Sequence, residues 1–201
     1  MKAPSMLGPR FSPDGKRLAF FSTTDIHIYD LACGSITGLN VSQNGTAQYP
    51  LWTPDGKHIV QKSTGGMSWV RADGSGTPQS IYESDTEPAP WSFPPDGCRL
   101  AFHQMGANTN RDFWTLPLDT TDPEHPKAGA PEVFLATQSN EVDPTFSRDG
   151  RWMAYSSNTA GPNHVFVRPF PEGAGGGGQV QISTTPARLP FGRVPPRNCS
   201  M

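Results

Sequence analysis

Short runs in which apolar and polar residues alternate recur along the whole chain, and they come in groups. "DIHIYDL" (25–31), "MSWVRA" (67–72), "DFWTLPL" (112–118) and "HVFVRPF" (164–170) form one series. "SITGL" (35–39), "QSIYES" (79–84), "EVFLAT" (132–137) and "QVQIS" (179–183) follow them as a second. A period of two places alternate side chains on opposite faces, so each run predicts a strand with one packed face. Polar segments rich in Gly and Pro separate the runs and read as turns and loops.

Ahead of each pair stands a nearly constant phrase: "FSPDGKRLAF" (11–20), "WTPDGKHIV" (52–60), "FPPDGCRLAF" (93–102) and "FSRDGRWMAY" (146–155). An aromatic residue opens each copy, namely Phe11, Trp52, Phe93 and Phe146. An Asp-Gly pair follows at Asp14-Gly15, Asp55-Gly56, Asp96-Gly97 and Asp149-Gly150. Pro13, Pro54 and Pro95 preset the turn, the Asp bonds to nearby amides, and the Gly takes a positive φ. Arg148 stands where the fourth copy lacks the proline. Apolar runs such as Leu18-Ala19-Phe20 and Met153-Ala154-Tyr155 then enter a strand. The opening aromatics and these runs are expected to share the packing between repeats.

Successive Asp-Gly pairs lie 41, 41 and 53 residues apart. A period near forty holding four strands is that of a propeller blade. The long third period carries its extra residues in "DTTDPEHPKAGAP" (119–131), a loop insertion between a third and a fourth strand. The expected fold is therefore all-β: a β-propeller of four-stranded antiparallel blades spanning about 1–41, 42–83, 84–137 and 138–184. A β-sandwich and a solenoid are the alternatives, and the fourfold recurrence of a four-strand unit favours the radial array.

Composition agrees with short strands and tight turns. Hydrophobic residues are 34% of the chain and aromatics 10%, with 21 Gly and 22 Pro. The net charge of −2 offers no basic surplus for nucleic acid. No apolar stretch reaches the roughly 18 residues of a membrane span, and the first residues carry no apolar core of signal-peptide length. The expected location of the chain as written is cytoplasmic. Cys33, Cys98 and Cys199 are odd in number and widely spaced. They suggest neither a disulfide framework nor a zinc site, but buried or idle thiols.

The repeated phrase resembles the TolB-like β-propeller repeat, a relative of WD-type repeats. Longer phrases are similar to the propeller that follows the kinase and membrane-spanning parts of many bacterial serine/threonine kinases; they include "YPLWTPDGKHIV", "WVRADGSGTPQSIYES" and "DPTFSRDGRWMAYSSNTAGPNHVFVRPF". The likeness covers roughly 8–184. It implies a propeller that in a parent kinase lies outside the membrane, in the periplasm or beyond. Related propellers also precede the hydrolase domain of prolyl oligopeptidase-type enzymes. The chain holds no kinase loop set and no G-x-S-x-G.

After residue 184 the pattern stops, and 185–201 reads as an irregular, Pro- and Arg-rich tail. Read one base out of register, the codons for Ala187–Met201 allow a Trp-Ser pair and a closing Glu-Leu-Phe-Tyr, as a fifth copy would. The tail is thus expected to be the frameshifted remnant of an incomplete fifth blade in a fragment of a larger propeller. Open blade faces would then make the chain marginal and self-associating.

Candidate chemistry is sparse. His27, His58, His103, His125 and His164 stand in no metal-binding spacing, and ordinary surface or core roles are expected. Asp119, Asp122 and Glu124 crowd the insertion without EF-hand order, which favours a solvated loop over Ca²⁺. Gly175–Gly178 lacks the lysine and helix of a phosphate cradle. Trp52, Trp69, Trp91, Trp114 and Trp152 are expected mostly in packing. The four turn aspartates are structural. These readings point to a protein that is not an enzyme, with no cofactor, no metal, no nucleic-acid partner and no membrane segment in this chain. The expected function is a binding or scaffold module for a protein or peptide. The alternatives are a sensor propeller cut from a serine/threonine kinase, or a piece of a prolyl oligopeptidase-type peptidase.

Overall fold

A computed structural model describes residues 6–22, 25–39, 45–171 and 178–187. Among these the chain is all-β, with seventeen strands. Blade 1 is β1 (Leu7–Phe11), β2 (Arg17–Phe21), β3 (Ile26–Asp30) and β4 (Ile36–Gly38). Blade 2 is β5 (Gln48–Trp52), β6 (His58–Ser63), β7 (Gly66–Arg71) and β8 (Gln79–Glu83). Blade 3 is β9 (Ala89–Ser92), β10 (Arg99–Met105), β11 (Arg111–Asp119), β12 (Lys127–Ala128) and β13 (Glu132–Leu135). Blade 4 is β14 (Glu141–Phe146), β15 (Trp152–Ser157), β16 (His164–Pro169) and β17 (Val180–Gln181). Strands pair antiparallel in chain order, and the four sheets fan around a common axis as a four-blade β-propeller.

The third blade departs from the simple plan. β11 is long enough to carry two partners, β12 against Leu118 and Asp119, and β13 against Phe113–Thr115. The insertion expected as a loop thus contributes a short strand of its own. The supposed fifth-blade remnant lies mostly outside the described residues, as do Cys199 and Gly175–Gly177; residues 185–187 carry no strand. Cys33 and Cys98 are exposed free thiols rather than buried ones.

Each seam between blades is an apolar core. Ala19, Phe21, Ile26 and Ile28 of blade 1 meet Trp52, Ile59 and Val70 of blade 2. Val60, Met67, Trp69 and Ile81 of blade 2 meet Leu100, Phe102 and Leu116 of blade 3. Ala101, Phe113 and Phe134 of blade 3 meet Phe146, Met153 and Tyr155 of blade 4. A sheet with two apolar faces needs a neighbour on each side, so the radial array follows from the strand pattern.

The Asp-Gly turns do more than reverse the chain. Asp14, Asp55, Asp96 and Asp149 each accept from the backbone N–H two residues on, at 3.0–3.1 Å. Gly15, Gly56, Gly97 and Gly150 hold φ near +70°. Successive turns also nest. A methyl group at Gly56 would stand 3.4 Å from Pro13, and one at Gly97 would stand 3.4 Å from Pro54. Ser12, Thr53 and Ser147 close each turn with a side-chain oxygen that accepts from the N–H five residues on. Pro94 takes that place in the third copy.

Candidate functional site

The inner strands bring one set of side chains to the axis. Three of them, β1, β5 and β14, carry a bulge next to a residue with φ between +53° and +62°: Gly8, Tyr49 and Asp143. All three occupy the same place, three residues before the repeat aromatic, and all three precede a proline. In blade 3 Pro90 holds that place and cannot take a positive φ, and the left-handed residue moves upstream to Glu87, again before a proline. Left-handed backbone at non-glycine residues usually marks function. Its recurrence from blade to blade instead identifies it as the kink that turns each inner strand past the axis.

Arg10, Tyr49, Trp91 and Asp143 thereby meet, one from each blade. The Arg10 guanidinium lies 5.3 Å over the Trp91 ring, and Tyr49 stands 6.4 Å from that ring and 5.4 Å from Phe21. Burial draws the Arg10 pKa below its ordinary value, and the Asp143 carboxylate works against that. Trp91 donates its indole N–H to His103 Nδ1 at 2.6 Å, which places the imidazole proton on Nε2. Burial, followed by the positive charges of Arg111 and Lys62, pushes the His103 pKa down to about 3. The axial group is thus a cation, a carboxylate and three aromatic rings packed on one another; Trp91, Phe21 and Asp143 are buried, and Arg10 and Tyr49 are partly exposed.

A second constellation lies where the 119–131 insertion folds onto blade 2. Trp69 Nε1 donates to the Pro123 carbonyl at 3.1 Å, and Arg71 Nη1 donates to Glu124 Oε1 at 2.7 Å. His58, Trp69, Arg71, Gln79, Glu124 and His125 line a half-open cleft of about 390 Å³. No sequence pattern links these six, because the cleft joins two blades.

The residues singled out in the sequence fall as follows. The turn aspartates and glycines sit together at one end of the blades, and Trp52 and Phe146 are buried in seams. Phe93 packs partly buried against the second core. Phe11 is 61% exposed, because no blade precedes it among the described residues. Trp69 and Trp91 are buried, whereas Trp152 is exposed. His27, His58, His103 and His164 lie on four different blades, and His125 lies in the insertion. No helix among the described residues is long and apolar enough to cross a membrane.

No protein-family model matches the chain. The peptidase YuxL of Bacillus subtilis, itself described as uncharacterized, is 28% identical over 156 residues, which is 75% of this chain and 21% of that protein. A protein assigned as TolB in Agrobacterium tumefaciens superposes with a TM-score of 0.68 at 19% identity, over 90% of this chain and 63% of its own. A puromycin-hydrolyzing peptidase of Mycobacterium tuberculosis gives 0.59 at 13% identity, over 84% of this chain and 29% of its own. The chain therefore spans about a fifth of YuxL and less than two thirds of the TolB-type structure. The fold is that of TolB-like propellers. The expectation that the protein is not an enzyme is corrected: the chain is similar, distantly and over part of its length, to a protein named as a peptidase. No catalytic motif stands in these 201 residues, and the two peptidases are much longer than this chain.

Proposed function

We propose that this chain is the propeller part of a peptidase-related hydrolase, where the blades receive and orient a peptide for a hydrolytic centre. The similarity to YuxL over 156 residues carries this reading. The axial group is in keeping with it: Tyr49 and Arg10 stand partly exposed there, a ring and a cation against which an extended peptide can stack. A binding role for protein or peptide is contained in this reading, since orientation of substrate is binding put to use.

Antibodies against this chain, applied to native extract of the source cells, test it. The precipitate is expected to hydrolyse aminoacyl or peptidyl nitroanilides, and Tyr49→Asn in the same polypeptide is expected to raise KM more than it lowers kcat. Phosphoryl transfer from ATP in the precipitate, with no hydrolysis above pre-immune serum, would replace this reading by the kinase-linked one.

A further inference from the structure

At the floor of the cleft between blade 2 and the insertion lies His58. It is buried, its ring lies 5.1 Å from that of Trp69, and neither ring nitrogen has a hydrogen-bond partner. An imidazole left unpaired in a protein interior carries its desolvation penalty uncompensated, so such a group calls for a ligand. Its Nε2 stands 3.5 Å from Glu124 Oε1 without forming a hydrogen bond. Two donors of one tetrahedral metal ion stand at nearly this separation: an ion about 2.05 Å from each would subtend about 115°.

The surroundings favour a cation. Asp73 and Glu124 both bind Arg71, and Asp122 binds His125, so this bonded set holds three carboxylates and a single guanidinium. His125 lines the same cleft from an exposed stretch of the insertion. Its Nδ1 lies 2.9 Å from Asp122 Oδ2. A carboxylate on one ring nitrogen leaves the other as the lone-pair donor, which is how metal-bound histidines are oriented.

We propose that this cleft binds one first-row transition-metal dication of the Zn²⁺ type, through His58 Nε2, the Glu124 carboxylate and His125 Nε2. Asp122 positions His125, and Arg71 positions Glu124. Two imidazoles and a carboxylate select Zn²⁺-like ions over Mg²⁺ and Ca²⁺, which take oxygen ligands. Among the described residues no three such donors already converge on one point. Binding therefore draws the exposed His125 side chain inward to join the His58–Glu124 pair. This inference is independent of the peptidase reading.

Zn²⁺ titration of the whole, untagged chain by calorimetry, with Co²⁺ absorption as the report on geometry, tests the proposal. One equivalent is expected, with the visible bands of four-coordinate Co²⁺ and no competition from excess Mg²⁺. His125→Ala and Glu124→Gln, both at exposed side chains, are expected to weaken binding at least about tenfold, and Asp122→Asn about tenfold. His58→Gln is expected to abolish it, with circular dichroism checking that the variant is folded. A folded chain that takes up no Zn²⁺ saturably would overturn the site. So would an affinity unchanged in both His125→Ala and Glu124→Gln.

Discussion

Trp52 of blade 2 donates its indole N–H to the main-chain oxygen of Arg10 in blade 1, at 3.0 Å. Arg17 lies 4.7 Å over the same ring, and its Nη2 donates to the Gly56 carbonyl at 2.7 Å. One side chain therefore joins the apolar core of the seam, an axial strand and a turn. Trp52→Phe should remove the hydrogen bond and lower stability by about 1 kcal/mol. Trp52→Ala should also open a cavity and cost about 3–5 kcal/mol. Urea denaturation followed by circular dichroism separates the two.

The same repeat position behaves differently at the start of the array. Phe11 is 61% exposed, while Phe146 is 8% exposed. Phe11→Ser is expected to change stability by less than about 0.5 kcal/mol, whereas Phe146→Ala should cost about 3–5 kcal/mol. Size-exclusion chromatography adds a second readout: any self-association through the open face of blade 1 should fall in Phe11→Ser. Equal loss of stability in both variants would show that the Phe11 face is covered in solution.

These contrasts show which features local sequence encodes. The Asp-Gly turns and the period-two runs act over a few residues, and so the strands between 26–30 and 164–169 were legible from the sequence, except β12 in the insertion. The kinks at Tyr49 and Asp143 were not, because a residue before proline is ordinarily steered to extended backbone. The axial group and the cleft were equally hidden. Arg10 and Trp91, or His58 and Glu124, come from different blades, and no spacing rule links them.

His103 makes stability depend on pH. Its native pKa is pushed down to about 3, while an imidazole in the unfolded chain titrates near 6.5. Below the unfolded value the unfolded chain takes up a proton that the native state refuses, so stability falls as pH drops from about 6.5 towards 3. The slope approaches about 1.4 kcal/mol per pH unit. His103→Asn keeps an acceptor for Trp91 and removes the titration. The stability gap between the two proteins should shift by about 2 kcal/mol in favour of the variant between pH 7 and pH 5.

Glu141 titrates in the opposite sense. It is buried; burial raises its pKa, and the nearby Asp112 adds to that while hydrogen bonds from Thr137 and Ser157 oppose it. A raised native pKa means that the folded state holds the proton more tightly than the unfolded chain. This contribution is complete below the unfolded pKa and is lost as pH rises through the native one. Glu141→Gln should therefore stabilise the protein at pH 7 relative to wild type, and the advantage should shrink on acidification. Thermal melts at pH 7 and pH 4 decide it, and a variant less stable at pH 7 would mean that the ionised carboxylate is satisfied in the native state.

Adjacent glycines in the β6–β7 hairpin separate conformational need from close approach. Gly65 has φ +80° and open space where a side chain would stand. Gly66 has φ +152°, and a methyl group there would collide with the main chain of Tyr82 in β8. Gly65→Asn should cost little, because asparagine tolerates left-handed backbone. Gly66→Ala should push β8 away from β7 and remove pairing at Glu83 and Tyr82. A loss of more than about 3 kcal/mol is expected, in the range of severe steric lesions. Hydrogen exchange localises it: the amides of β8 should lose protection before those of blade 4. Uniform loss across all blades would mean that the four sheets unfold as a single unit.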